Sequence, residues 1–240
     1  MSRIYVTSDL DWASEDVILQ ALQVFAKAEA PFTFFQTHYS NALIRFAKEH
    51  GSELEWHPNF LPCSSHGGSV KEVIASLSAL PAEKKVVRCH LYYCPEEPYQ
   101  HFLSETGIKA SSNDLSLLSL KPIYKKNGIT EIPLFFEDGR FIKAGHPMNV
   151  DTILKAMKTD GDYVFLFHPI HVAFNSLDYG LTRSLKDNLS REEYHRLSSK
   201  VILEKRYQGY GVANLFLDLI RELKASGHSF HLMKEALPHD

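Results

Sequence analysis

The sequence predicts an α/β domain in which parallel strands alternate with helices. Three observations lead there. Short runs rich in apolar, β-branched and aromatic residues recur along the chain. Between them lie amphipathic segments of helical period, opened by capping residues and stopped by glycine or proline. Neither an internal repeat nor a linker divides the 240 residues, a length that suits one large domain. Such alternation implies a mainly parallel sheet covered by helices, either open and doubly wound or closed into a barrel.

Each element has its own signal. Residues 3–8 read as the first strand. Residues 15–28 follow as a helix, with Ile18, Ala21, Leu22 and Phe25 on one face. Pro31 punctuates, and residues 32–35 form a second strand. Residues 41–50 make a helix that Gly51 stops, and 53–56 alternate as a third strand. Ser69 and Glu72 form a capping box ahead of a helix over 70–80, ended by Pro81. A fourth strand starts at 85–87, and a helix over 99–106 ends at Gly107. Residues 115–120 and 129–136 read as strands, 150–157 as a short helix and 163–167 as a solid apolar strand. The stretch from Pro169 to about Leu189 reads as a long loop, a length often found where loops are functional. Ser190 and Glu193 cap a further helix, 211–224 is another, and 229–233 reads as a last strand.

Bulk properties exclude several classes. A hydrophobic content of 44% and a charged content of 23% are ordinary for a soluble globular chain. A net charge of -3 with no basic stripe gives no electrostatic case for nucleic acid or an acidic membrane surface. No apolar run approaches the ~18 residues of a membrane span, and the N-terminus lacks a signal peptide's apolar core. Cys63, Cys89 and Cys94 are too few, and odd in number, for a disulfide framework. A reducing, cytoplasmic location is expected.

The polar residues at the expected strand ends carry the functional signal. The first strand ends in Asp9 and Asp11, the second in Thr37-His38, the third in His57-Pro58-Asn59, and the fourth in Arg88-Cys89-His90. The strand over 129–136 runs into Glu137-Asp138, and that over 163–167 into His168-Pro169-Ile170-His171. Taken singly, an acid here is a helix cap, a histidine a hydrogen-bonded core residue, and Asp138-Gly139 a turn. His50 reads as a helix C-terminal residue meeting the dipole. His101, His146, His195, His228, His231 and His239 read as surface or structural. What single explanations miss is convergence on one face, the C-terminal ends of the strands, where α/β folds place their ligands. Imidazole and carboxylate together suit a divalent metal with positions left open for water and substrate. Strand alternation sends residues i and i+2 to one side, so Asp9 and Asp11 can share that site.

These residues resemble the polysaccharide deacetylases, the NodB-homology superfamily of carbohydrate esterase family four. Ser8-Asp9-Leu10-Asp11-Trp12 takes the place of that family's acid pair, and Phe32-Thr33-Phe34-Phe35 is similar to its second strand. His57, after Gly51 and a short strand, matches the first metal histidine. Arg88 lies where the substrate- and base-supporting arginine falls, and Leu166-Phe167-His168 resembles the late Leu-x-His motif. The set, with His-Pro-Asn-Phe, Arg-x-His and Phe-His-Pro-Ile-His, resembles a divergent, WbmS-like subgroup found with O-antigen biosynthesis genes. The resemblance covers residues 3 to about 176.

The resemblance implies an irregular seven-stranded (β/α) barrel with a metal site at the C-terminal ends of the strands. On this reading 1–240 form one domain, with 177–240 a helical extension packed on it or a substrate-side cap. It implies hydrolysis of N- or O-acetyl groups on a sugar or glycan precursor with a divalent metal, zinc foremost and cobalt, nickel or manganese as alternatives. Asp9 is the implied base, supported by Arg88, and His168 the implied acid. Asp11 and His57 are implied metal ligands. The family's second metal histidine is replaced by Leu61, so the set needs another member: His90 first, then His66, then His38. His38, Trp12, Asn59, Glu137, Asp138 and His171 are candidate substrate contacts, with His171, Glu137 and Asp138 alternatively orienting His168. Trp12, Trp56 and Tyr92 are aromatic enough to stack on a sugar ring or to fill core. Two other readings stay open: a metal-dependent C–N hydrolase of a non-sugar molecule, and a degenerate glycan-binding or partner-binding member.

Overall fold

A computed structural model describes residues 1–237; His239 lies outside the described residues. The strands are β1 (Arg3–Asp9), β2 (Phe32–Gln36), β3 (Glu53–Trp56), β4 (Val86–Val87), β5 (Ala110–Ser111), β6 (Tyr124–Lys126), β7 (Ile129–Glu131), β8 (Leu134–Glu137), β9 (Asp162–Leu166) and β10 (Ser229–His231). They form one sheet in the order β6-β7-β5-β4-β3-β2-β1-β9-β8, with β10 beside the start of β1. Every pairing is parallel except the β6–β7 hairpin. The sheet curls into a half-barrel, and a bridge from Leu115 to Leu134 draws the segment after β5 toward β8.

The α/β class is as the sequence predicts, but the ten-stranded sheet exceeds seven strands. Part of the excess comes from β10 and the β6–β7 hairpin, whose turn is Asn127-Gly128 with φ of 48° and 86°. The run expected as one strand over 129–136 also divides. Pro133 has no N–H to donate, and it separates β7, beside β5, from β8, beside β9. Residues 115–120 form no strand: after the one bridge, Leu117 and Leu118 turn left-handed, with φ of 27° and 62°.

The helices are α1 (Glu15–Ala26), α2 (Asn41–His50), α3 (Val70–Leu77), α4 (Glu96–His101), α5 (Asp138–Lys143), α6 (Val150–Leu154), α7 (Pro169–Ala173), α8 (Gly180–Asn188), α9 (Arg191–His195), α10 (Ser199–Lys205) and α11 (Val212–Ala225). Ser14 and Ser40 cap α1 and α2, and the capping boxes of Ser69–Glu72 and Ser190–Glu193 open α3 and α9. The expected helix over 99–106 starts earlier, as α4, and ends in a π-helical turn, Phe102–Thr106. The expected loop from Pro169 to Leu189 holds α7 and α8. No described helix is long and apolar enough to cross a membrane.

Strand alternation sorts the core into two faces. Ile4 and Val6 of β1, Phe32 and Phe34 of β2, and Tyr163 and Phe165 of β9 pack under the helices. Tyr5, Phe35, Val164 and Leu166 point into the concave interior. A bulge in β8 between Leu134 and Phe136 resets its alternation, pairing Glu137 with Leu166. Glu137 thereby keeps the side that Leu134 occupies. The C-terminal part packs on this body: α11 buries Leu215, Phe216, Leu219 and Leu223 in the main core, and β10 pairs with β1. Asn175 joins the two parts, donating to the carbonyls of Tyr207 and Gly209 and accepting from Ala213 N–H. Gly211 approaches so closely that a Cβ there would lie 2.1 Å from the Asn175 oxygen.

Two acids, Glu53 and Glu55, sit on the interior side of β3, paired in register with Thr33 and Phe35. Glu53 accepts from Thr33 Oγ1 at 2.6 Å and Glu55 from Lys85 N–H at 2.9 Å. Burial raises both carboxyls, and the neighbouring Glu53 helps push Glu55 up to about 9. A folded-state carboxyl above its unfolded value binds a proton that unfolding releases, so this pair's contribution to stability is lost as pH rises from about 4.5 to 9. Chemical denaturation across that range should show stability falling with pH in the wild type and a flatter profile in Glu55→Gln. An equal slope in both would contradict a raised Glu55 carboxyl.

Candidate active site

The site is built on a buried arginine. Arg88 follows β4 and is 0% exposed. Its Nη1 donates to Asp9 Oδ1 at 2.9 Å and to Thr7 Oγ1 at 2.8 Å. Its Nε and Nη2 donate to the main-chain oxygen and the hydroxyl of Ser112, and its guanidinium lies 4.2 Å from the Phe35 ring centre. Thr7 and Asp9 share the interior side of β1, so alternation accounts for both. It does not account for Asp11. The strand ends at Asp9, and Asp11 and Trp12 then turn left-handed, with φ of 46° and 57°. Trp12 N–H donates to Thr37 Oγ1 at 3.1 Å, holding the turn. The two acids therefore meet through a strained turn rather than as i and i+2 on one strand.

Two loops bring histidines to Asp11. His57 leaves β3 with its N–H on the Gln36 oxygen, and His90 is anchored by its N–H to the Pro58 oxygen, each at 2.8 Å. Asp11 Oδ1 lies 3.3 Å from His57 Nε2 and 2.8 Å from His90 Nδ1. His57 is 1% exposed, yet neither ring nitrogen has a hydrogen-bond partner among the described residues. Buried imidazole nitrogens are normally satisfied, so this pair asks for a ligand. Donors about 2.0 Å from a tetrahedral ion stand about 3.3 Å apart, close to the observed spacing. Asp11, His57 and His90 fit a divalent metal by donor type, by geometry and by the unpartnered His57. Burial works to raise the Asp11 carboxyl, but His57, His90 and His168 outweigh it and hold its pKa well below the usual range.

The other two candidates for the third position are placed differently. His66 accepts from Asn59 N–H at Nδ1 and meets the Thr37 oxygen at Nε2, so the main chain occupies both its nitrogens. His38 is held by Thr37 Oγ1 and its ring stacks toward His195. Leu61, at the family's second histidine position, donates its N–H to Asn59 Oδ1.

His168 faces the triad from the opposite wall. It starts α7 after β9, and its Nε2 lies 3.9 Å from Asp11 Oδ2. Asp138, 0% exposed, accepts from His168 N–H at 2.8 Å and from Nδ1 at 2.6 Å. A carboxylate only accepts, so Nδ1 carries the proton and Nε2 is presented to the site. Burial opposes the charged imidazolium, but Asp138, with Asp11 and Glu137, pushes His168 up to about 10. Glu137 accepts from Tyr92 Oη at 3.0 Å and from Arg140 N–H, and burial raises its carboxyl. His171 is buried beside Ser176 Oγ, and desolvation lowers it to about 4.

A cavity of about 40 Å³ lies among Asp9, Asp11, His57, His90, Glu137 and His168. Larger clefts open on either side. One, of about 310 Å³, is lined by Trp12, Asn59 and Tyr194; the other, of about 290 Å³, by Glu137, His171 and Tyr179. Trp12, Asn59, Glu137 and His171 thus border the clefts. Two expected substrate contacts do not: Asp138 is sealed behind His168, and the ring of His38 is turned to His195. Of the aromatic candidates, Trp56 is core and Tyr92 is bonded to Glu137. Thr7 and Ser112, which hold Arg88, and the cleft residues Lys186, Arg191 and Tyr194 carried no signal in sequence. His195, which the sequence suggests is surface or structural, also borders a cleft.

The fold is similar to that of a candidate polysaccharide deacetylase involved in O-antigen biosynthesis, WbmS from Bordetella bronchiseptica: TM-score 0.77, 24% identity, 92% of this chain and 90% of that one. It is also similar to the Bc1960 peptidoglycan N-acetylglucosamine deacetylase, with TM-score 0.51, 14% identity, and 97% and 86% of the two chains covered. A search of curated proteins finds no match. The model of the WbmS-like polysaccharide deacetylases matches residues 6–184, and the chain belongs to that family.

Proposed function

We propose that this protein is a metal-dependent hydrolase that removes an acetyl group from an N- or O-acetylated sugar in polysaccharide biosynthesis of the O-antigen kind. The observation that carries the reading is His57, buried with both ring nitrogens unpartnered, beside Asp11 and His90. Membership of a deacetylase family supports the reaction class, and the likeness to WbmS suggests the setting.

Asp11, His57 and His90 would hold the metal, zinc by donor set, with cobalt, nickel or manganese as alternatives. A divalent ion there would supply Lewis acidity toward water and an acetyl carbonyl. Asp9 is the base. Arg88 binds its Oδ1, which fixes the carboxylate and turns the other oxygen toward His57, 3.8 Å from Nδ1. His168 is the acid: Asp138 keeps its Nε2 pointed at the cavity and its imidazole protonated near neutrality. It delivers that proton to the departing amine or alkoxide. Trp12 presents an aromatic wall for the sugar ring. Glu137 and His171 border the cleft beside His168.

Release of acetate from acetylated amino sugars should be lost in Asp11→Asn and fall by about 10²–10⁴-fold in Asp9→Asn. Wild-type turnover in Asp11→Asn would refute the ligand role, and turnover of simple amides alone would favour the non-sugar hydrolase. In chelator-treated protein, an NMR titration should find His168 near 10, and about 1–3 units lower in Asp138→Asn. An unchanged titration would deny Asp138 its part in holding the acid.

A further inference from the structure

We propose that the cleft bounded by Trp12 and Tyr194 binds a diphosphate, so that the acetylated sugar arrives activated at its anomeric oxygen. This rests on the deacetylase reading and specifies its substrate class. Asp11 and His90, the rings of Trp12 and Tyr194, and the basic Lys186, Arg191 and His195 all line the cleft, together with Leu189 and small neutral polar groups. Apart from Asp11, no acid lines it.

The state of these cations is informative. Cations on the same short helices that lie off the cleft are neutralised by an acid four residues away. Arg183 binds Asp187 at 2.7 Å, and Arg196 binds Glu192 at 2.9 Å. Lys186 and Arg191, which line the cleft, have no side-chain hydrogen bond or ion pair among the described residues. A chain with a net charge of -3 thus keeps two uncompensated cations at the mouth of its site. Lys186 also borders the second cleft, beside Lys143 and an Arg140 that pairs with Glu137 at 3.6 Å. One carboxylate is well served by a single arginine. Two separated cations with a histidine suit the spread charge of a diphosphate. A sugar ring on Trp12 then places its acetyl group at Asp11 and its anomeric substituent toward Lys186 and Arg191.

Such a diphosphate comes from a nucleotide or from a polyprenyl carrier. The test is calorimetric titration of the purified, metal-loaded protein with uridine diphosphate and with farnesyl diphosphate. At least one should bind. Affinity should fall at least about tenfold in the Lys186→Ala, Arg191→Ala double variant and be kept in Arg183→Ala, whose side chain lies off the cleft, with thermal melting confirming that each variant is folded. The better ligand identifies the source. Binding of neither ligand, binding indifferent to the double variant, or binding equally weakened in Arg183→Ala would each overturn the proposal. The readout is independent of turnover: a protein that binds diphosphate but deacetylates nothing refutes the deacetylase reading and leaves this site standing.

Discussion

A guanidinium with no exposure to water is the constraint around which the rest of the structure is arranged. Arg88 is buried against the Phe35 ring, where an unpaired charge is prohibitive and loss of a partner costs about 3–5 kcal/mol. Its donors therefore have to be met by Thr7, Asp9 and Ser112. Those partners lie on or beside β1 and β5, and β1 is separated from β4 by β2 and β3 in the sheet order. A flat sheet would hold Asp9 and Arg88 far apart. Curling brings them within hydrogen-bond distance, so the polar network and the shape of the sheet require each other.

The reactive groups are arranged around that fixed pair. Asp9 is held rigidly from below, while Asp11 is delivered by a left-handed turn and His90 by a loop whose next residues, Leu91 and Tyr92, are also left-handed. Non-glycine residues in that region cost of order 1–3 kcal/mol each and persist where surrounding contacts dictate them. Here the contacts are visible: Thr37 Oγ1 under Trp12 N–H, the Pro58 oxygen under His90 N–H, and Asn113 Oδ1 under Cys89 N–H. Opposite, the β8 bulge turns Glu137 inward, and Asp138 can lie behind His168. Neighbouring strands β1 and β9 thereby place Asp9 and His168 around one small cavity.

Much of this is legible in sequence for a local reason. The elements β1, α1, β2, α2 and β3 are bounded by caps, by Gly51 and by clear periodicity, and the structure agrees within a residue or two at most bounds. Residues at strand ends are legible as a group because parallel topology collects them on one face. What was not legible depends on contacts distant in sequence. Nothing local distinguishes Trp12, at the cleft, from Trp56, in the core. His66 and His90 look alike until the main chain is seen to take both nitrogens of one. Lys186 and Arg191 read as ordinary helix-surface charges. Two further signals do lie in the sequence: Pro133 inside an apparent strand, and Asn127-Gly128 as a hairpin turn.

The account turns on whether Asp11, His57 and His90 bind a metal ion, and elemental analysis of the purified, untagged protein tests this most directly. The account predicts about one zinc, or another first-row divalent ion, per chain in the wild type, and its loss in a folded His57→Ala variant. A protein that holds no metal, even after reconstitution with zinc, cobalt, nickel and manganese, would contradict it and leave the site to a binding role.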